Sequence, residues 1–459
     1  MTFLRILFLL SLTACAQHKD VVIDELKVSE TFIQQGAANV DIHWWQSFNN
    51  AQLTQLVAQG LNDNLNLKSE DLRLKSSKIT AEISGATLYP DLKLVASGTS
   101  PFDDFGHVKS ASFGVSSSWE LDIWGSLAAA EDKAYWEYQG KQALYRAKAN
   151  LVAANVTSAW LGIVSEQEKK KVLAEQRQRT KDALTTITRR YAMGKNSVTN
   201  IWQQQKLLKT IEVQQEKNLT NLFLHQQTLA LWLGIPTQEL ATVAFNTLPS
   251  LPEIPNTGIP AQVLKHRPDI EQALAKIKAA NESLSIAIAA QYPRITLRAN
   301  YSTSSNSIKD LFDDWQGNLI ASLTMPLFDA GKTQLVIEQR QLALKALMFD
   351  YQQVWLQAIA SVNQVLINEA QLMKVASNLA SQLDLAKRTE KLTIIKYLNG
   401  KTSYLELLKA QESIFSIEQQ CIEANKKLVI NRVLLYRELS HGSFSVANKT
   451  TTEYMGESS

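Results

Sequence analysis

From Phe113 to Ile123 the odd positions read Phe, Val, Ser, Trp, Leu, Ile, and the even positions between them read Gly, Ser, Ser, Glu, Asp. A period of two predicts a β-strand with one apolar and one polar face. Three more stretches carry it, near 91–100, 294–303 and 318–328. In the first, Leu92, Leu94 and Ala96 oppose Asp91, Lys93, Ser97 and Thr99. In the third, Ile295, Leu297, Ala299 and Tyr301 oppose Arg294, Thr296, Arg298 and Asn300. In the fourth, Leu319, Ala321, Leu323, Met325 and Leu327 oppose Asn318, Ser322 and Thr324.

Most of the remaining chain predicts helix, over 53–88, 126–192, 197–233, 261–290, 332–397 and 403–440. In the fifth of these, Leu344, Met348, Tyr351, Trp355, Ala358, Val362 and Val365 step alternately by four and three. A sustained heptad winds a helix left-handed around a neighbour. At 1.5 Å per residue such a helix is about 100 Å long. The shorter helices cover about half that distance, so the irregular pieces at 16–50, 235–260 and 441–459 collect near mid-height.

The order of elements occurs twice. Tyr89-Pro90-Asp91-Leu92-Lys93-Leu94 matches Tyr292-Pro293-Arg294-Ile295-Thr296-Leu297, Gly125 matches Gly331, and Arg190–Lys195 matches Lys396–Lys401. The spacing is about 203 to 206 residues throughout. This is a duplicated helix–hairpin–helix unit, too long for a solenoid repeat.

All four strand candidates are about ten residues long, the length of a tilted membrane-spanning strand. Aromatic residues gather at their ends: Tyr89, Trp124, Tyr292 and Phe328 on the helix side, Phe102, Phe105, Phe312 and Trp315 on the other. Such girdles mark bilayer interfaces. A lipid-exposed sheet must close, because lipid leaves no partner for an open edge. Four strands are too few for closure. Two chains would supply eight and three would supply twelve, enough to hold open water. An oligomer, most simply a trimer, follows if the strands span. The competing expectation is a small soluble sheet packed on helices.

The N-terminus adds a compartment. A short region with Arg5, an apolar run from Ile6 to Leu12, and Leu12-Thr13-Ala14-Cys15 predict a secretory signal over 1–14, too short to be a stable membrane span. The ending resembles the bacterial lipobox, which implies an acylated Cys15, and Ala16 after it implies the outer membrane. Cys421 is the only other cysteine, so acylation of Cys15 leaves no intramolecular disulfide.

Charge and chemistry change the picture little. A net charge of +3 gives no global field for nucleic acid. The six histidines are scattered and none pairs at helical spacing, so no metal site is expected. No phosphate loop or nucleophile motif is present, and Glu120 with Asp122 on one strand face is not an acid–base pair in any visible substrate site. No enzymatic activity and no cofactor are expected.

The pieces WQSFNNAQLTQL (45–56), Tyr89-Pro90, SWELDIWG (118–125), HRPDI (266–270), YPRITL (292–297), PLFDAG (326–331) and KYLNGKTSYLELLKA (396–410) together resemble the TolC-type outer membrane efflux channels, in their lipoprotein branch. The resemblance runs in order over nearly the whole mature chain. It implies a mainly α fold with a membrane β-barrel. The implied assembly is a homotrimer with a twelve-stranded barrel, a long periplasmic α-barrel and an equatorial collar. It implies a passive conduit from periplasm to exterior for a tripartite efflux or secretion system, partnered by a periplasmic adaptor and an inner membrane transporter. The expected organisation is a signal peptide at 1–14, an acylated and equatorial segment at 15–52, and a first repeat at 53–240. A linker at 241–260, a second repeat at 261–440 and a tail at 441–459 follow. By position, the resemblance puts adaptor contacts at the helix tips, at Gly194, Lys195, Gly400 and Lys401. It puts a periplasmic gate at Tyr397, Glu406 and Lys409. On the strand, Phe113, Val115, Trp119, Leu121 and Ile123 are expected to face lipid, and Gly114, Ser116, Ser118, Glu120 and Asp122 the lumen.

Overall fold

The computed structural model describes Phe32 and residues 43–100, 110–240, 248–255 and 264–439. After a 3-10 turn at Trp44–Phe48 come α1 (Ala51–Asp63), α2 (Leu65–Ala86), β1 (Asp91–Thr99) and β2 (Ser110–Leu121). The first half ends with α3 (Ser126–Ala192) and α4 (Val198–Leu233). The second half repeats the order as α5 (Pro268–Ala289), β3 (Arg294–Ser305), β4 (Trp315–Thr324), α6 (Lys332–Leu398) and α7 (Tyr404–Leu439). The described residues are mainly helical with four antiparallel strands, as expected. The signal, Cys15, Phe102, Phe105 and the tail from 440 lie outside the described residues.

The residues group into two compact units that cut across the duplication. One comprises Asp71–Leu144 and Asp269–Val354, and holds the sheet. Its strand order is β1-β2-β3-β4, each pair antiparallel. Thus β2 has both neighbours in its own chain, β1 and β3. The two duplicated hairpins pair with each other through β2 and β3, so among the described residues the sheet edges are β1 and β4. The fourth strand covers 315–324, not 318–328. Pro326 has no N–H for the ladder, which helps explain why Leu327 and Phe328 lie outside it.

The other unit comprises the described residues of Val28–Glu70, Tyr145–Pro268 and Trp355–Ser459. Its core gathers Trp44, Leu53, Val57, Trp160, Leu161, Leu229, Val433 and Tyr436. Trp44 stacks on Tyr436 with ring centroids 5.6 Å apart, and its Nε1 donates to Asn150 Oδ1 at 3.2 Å. Burial of each such large side chain contributes about 1.5–3 kcal/mol. The helix expected over 53–88 is broken at Asn64. Its backbone turns extended (ψ 120°), its Oδ1 accepts from the Leu67 amide at 3.0 Å, and its Nδ2 donates to the Trp232 carbonyl at 2.9 Å. An asparagine that can cap a new helix competes with continuing the old one.

Candidate functional site: a two-faced sheet and paired helix tips

The sheet sorts its residues by face because the register is in phase across all three pairings. Leu94, Val115, Tyr301 and Gly317 fall in one row, and Trp119, Leu297 and Ala321 in another. The apolar face therefore carries Leu92, Leu94, Phe113, Val115, Trp119, Leu121, Ile295, Leu297, Leu319 and Leu323. The opposite face carries Lys93, Ser116 and Asn300 in one row and Asp91, Ser118 and Arg298 in the next. On that face Ser97 bonds Ser112 at 2.7 Å, and Asn300 donates to Asn318 at 3.2 Å. Ile320 is an apolar exception opposite Arg298. Aromatics cluster at both ends of the apolar face. Tyr301 stacks on Trp315 at 5.0 Å with Phe113 and Phe312 beside them, while at the helix end Trp124 stacks on Tyr292 at 4.7 Å. The Trp124 and Trp119 indole N–H groups donate to the Pro293 and Leu88 carbonyls, at 2.8 and 2.9 Å.

Where sheet becomes helix, an aspartate and a glycine do the turning. Asp122 accepts from the Leu127 and Ala128 amides at 3.0 and 2.8 Å, ahead of α3, while Gly125 takes φ +71°. In the second half Asp329 accepts from the Gly331 amide at 3.0 Å and from the Thr333 amide at 2.9 Å. Hydrogen bonds from the Thr333 hydroxyl and amide hold Asp329 below the usual carboxylate range. A carboxylate over the free amides of a helix start is favoured by both hydrogen bonding and the helix dipole.

At their other ends the long helices finish in two equal turns. Gly194 (φ +71°) donates to the Tyr191 carbonyl at 2.8 Å and Lys195 to the Arg190 carbonyl at 2.8 Å. Gly400 (φ +69°) donates to Tyr397 at 3.0 Å and Lys401 to Lys396 at 2.8 Å. Both are Schellman endings, which need a left-handed residue that only glycine supplies without cost. The tips are cross-tied. Tyr397 donates to Asn196 Oδ1 at 2.9 Å and accepts from Asn196 Nδ2 at 2.8 Å. The Tyr404 hydroxyl donates to Gln204, which donates in turn to the Thr180 carbonyl at 3.1 Å. Burial, with Tyr397 close by, pushes the Tyr404 phenol well up.

The four-stranded sheet presents one apolar face and two open edges, β1 and β4. The family model for outer membrane efflux proteins matches residues 56–235 and 259–440. The chain belongs to the outer membrane efflux protein family. It is an outer membrane efflux channel, and the outer membrane is its location. Similar proteins include the pyoverdine export outer membrane protein OpmQ of Pseudomonas aeruginosa, 28% identical over 421 residues and covering 87% of each chain. The cation efflux system protein CusC of Escherichia coli O6:H1 is 25% identical, covering 94% of this chain and 97% of its own. A solved membrane protein from Pseudomonas aeruginosa has the same fold, with a TM-score of 0.83 at 23% identity, covering 92% of this chain and 99% of that one. The Neisseria gonorrhoeae MtrE outer membrane channel, solved in its open state, gives 0.80 at 23% identity over 92% and 98%.

In this efflux channel the expected strand residues Phe113, Val115, Trp119 and Leu121 do share one face. Ile123 does not lie in the strand, which ends at Leu121. Asp122, just past the end of the strand, caps α3. Gly194, Lys195, Gly400 and Lys401 lie in the two turns, with both lysines exposed. Of the gate candidates, Tyr397 is buried within the chain, between Asn196 and the Arg190 guanidinium 5.0 Å over its ring. Glu406 and Lys409 are exposed, and the Glu406 carboxylate turns back to the Thr402 hydroxyl. The Glu406 amide meets Ser403 Oγ at 3.4 Å. Ser403-x-x-Glu406 has the spacing of a capping box, a signal present in the sequence but not used.

Two buried hubs also went unforeseen. Arg267, in the HRPD stretch, donates to the Glu438 carboxylate and carbonyl at 3.0 Å each, and Ser361 donates to the same carboxylate at 2.9 Å. Burial alone would push Glu438 up. The Arg437 hydrogen bond, the Arg267 charge and the Ser361 hydroxyl outweigh it and hold the group below its usual range. In the second hub Arg432 and Glu369, both 1% exposed, form an ion pair, and Arg432 also donates to the Glu253 carbonyl at 2.6 Å and to the Pro252 carbonyl.

Proposed function

We propose that three copies of this chain close their edges β1 and β4 into a twelve-stranded barrel and serve a tripartite system. The observation that carries this is the pair of open edges on a sheet with one continuous apolar face. In lipid, every backbone N–H and C=O along those edges needs a partner. Exposed apolar rows continue from each edge. Leu335, Leu342 and Phe349 recur at seven residues on α6, the helix after β4, and Leu72, Ile79 and Ile83 lie on α2, the helix before β1. Rows at that spacing suit helix packing between copies. An acylated Cys15 anchors the N-terminus in the same membrane. The inner ends are the tips, where exposed Met193, Trp202, Leu398 and Leu405 surround the two turns and offer a periplasmic adaptor an apolar surface. An inner membrane transporter supplies the cargo through that adaptor. Relatives are named for pyoverdine, for cations and for toluene. A conduit whose relatives carry such different names leaves the choice of cargo to its partners. A non-conducting coiled-coil spacer is the weaker reading, because a spacer needs no amphipathic strands of ten residues.

Glu406 and Lys409, one helical turn apart, form a mixed-charge ring near the tip in the assembled channel. Planar-bilayer recordings of the full-length protein test both levels. The trimer reading expects detergent-solubilised particles of three copies and discrete conductance. A detergent-free soluble monomer without conductance would overturn it. With conductance established, Lys409→Asp raises cation selectivity; unchanged selectivity removes Lys409 from the gate and leaves the channel reading standing.

A further inference from the structure

The unit that holds the sheet also holds a groove of about 430 Å³, within the roughly 300–1,000 Å³ of small-molecule sites. Two helix faces make it. On α3, Lys133, Trp136, Glu137, Gly140 and Lys141 line it, and on α5, Gln272, Ala275, Lys276, Ala279, Ala280 and Ser283. Steps of three and four put each set on one side of its helix. Small residues form the floor. A Cβ built on Gly140 would stand 3.5 Å from the Ala275 Cβ, so the two helices meet closely there. Trp136 adds an aromatic wall. Lys278, which is outside the lining, holds its Nζ 3.8 Å from the centre of that ring and steadies it. The charge of the groove is one-sided. Three lysines line it against one carboxylate, and that carboxylate, Glu137, is paired with Lys133 at 3.8 Å. Lys141 and Lys276, one exposed ammonium group from each helix, are the excess.

The lining also tells which side of the helices the groove is on. The strands stand in the order β1-β2-β3-β4, and the helices joined to them follow as α2, α3, α5 and α6. Gly85 of α2 lies against Glu131 of α3, and Gly140 of α3 against Ala275 of α5. Ser77 of α2 and Leu347 of α6 both reach the groove over the inner pair. The outer members of such a row meet a common groove only on its concave side. In a closed barrel the concave side is the lumen. We infer that the groove is a binding site for a small organic anion with a flat apolar body, an aryl carboxylate or sulfonate in class, taken from the lumen. The body lies against Trp136 and the alanine floor, and the acid group lies between the Lys141 and Lys276 ammonium groups. A cleft lined by one sign of charge gathers ions of the other sign. A cation of the same shape meets repulsion there, and a neutral molecule forgoes the charge-assisted hydrogen bonds. The groove is complete within one chain. Its place in the lumen rests on the trimer reading above.

The test is calorimetric titration of the detergent-solubilised full-length protein with 2-naphthoate, beside the neutral 2-naphthamide and the cationic 2-naphthylmethylammonium ion. Saturable binding is expected for naphthoate alone. Lys141→Gln with Lys276→Gln should weaken it by about tenfold or more, the worth of hydrogen bonds to charged groups. Lys141→Arg with Lys276→Arg keeps both charges and should retain it. Equal binding of the amide, or unchanged affinity in the paired Gln variant, overturns the anion site. Placement is read separately, as block of single-channel current by naphthoate in planar bilayers, expected in wild type and lost in the paired Gln variant. Naphthoate that binds while the current stays unchanged takes the groove out of the lumen and overturns the inference. A protein without any conductance breaks the trimer reading instead, and the calorimetry still decides the groove.

Discussion

The hairpin α3–α4 and the hairpin α6–α7 are the same object built twice, with long helices of 67 residues and returning helices of 36 in both. Their turns make the same two hydrogen bonds around a left-handed glycine. Inside, they differ. The first buries Glu166 against Asn218, whose Nδ2 donates to the Glu166 carboxylate at 2.6 Å and to its carbonyl at 2.8 Å. The second buries Glu369 against Arg432, and that guanidinium also holds the carbonyls of Pro252 and Glu253. A neutral amide is used up on one partner helix. An arginine has five donors in a fork and reaches a third segment. The shared backbone is specified by a few turn positions, while the buried polar residue decides what each hairpin fastens.

The sharpest way to break this comparison is to remove each donor. Arg432→Met leaves Glu369 buried and unpaired, and a broken buried pair costs about 3–5 kcal/mol. Asn218→Leu leaves a buried acceptor with less help, at about 1–3 kcal/mol. Arg432→Met with Glu369→Leu should recover most of the loss, since apolar replacement of a whole buried pair is often neutral. Denaturant unfolding of the solubilised protein, followed by helical signal, ranks the three. If Arg432→Met proves no worse than Asn218→Leu, the contrast between the hairpins fails.

What the sequence disclosed divides along the same line. The strands, the long helices and the two glycine turns were legible because each depends on neighbours within a few residues: a period of two, a heptad, a Gly-Lys after an aromatic. The pairing of β2 with β3 was not, because it joins residues such as Val115 and Tyr301 from opposite halves of the duplication. The Arg432–Glu369 pair spans 63 positions and is visible only once both are buried. The strand end was overrun for a local reason: Asp122 and Ile123 keep the alternation going while the chain is already turning into α3. Asn64 was missed because the residues on both sides favour helix and only the Trp232 carbonyl makes the break worthwhile. The gate assignment came from position in a family pattern, since a pore-facing side chain is defined by copies that a single chain does not contain.

The equivalence of the two turns is open to a smaller but cleaner challenge. A Cβ at Gly194 or Gly400 would meet nothing within 4 Å, so alanine there tests backbone conformation alone. Each substitution should cost about 1 kcal/mol, the price of a left-handed non-glycine residue. Amide exchange at the turns should rise by the same factor in Gly194→Ala and Gly400→Ala. Unequal factors would mean that tertiary contacts, not the shared Schellman bonds, hold one of them.

The smallest expected effect separates capping from gating at the second tip. Ser197 starts α4 by accepting from the Thr199 amide at 3.2 Å. Ser403 precedes α7 in the same way, but α7 has an acid in its first turn, Glu406, where α4 has none. An acid there favours the helix dipole by about 0.3–1 kcal/mol. Glu406→Gln removes the charge while keeping an acceptor for Thr402, so it should loosen the first turn of α7 by a few tenths of a kcal/mol, measured as local amide exchange. Asn200→Glu, the matching position beside the first turn, should firm the start of α4 by a similar amount. If Glu406→Gln changes ion selectivity but leaves exchange at the α7 start untouched, the carboxylate serves the pore and not the helix. If exchange shifts and selectivity does not, its duty is the cap, and the difference in charge between the two tips is a matter of helix ends alone.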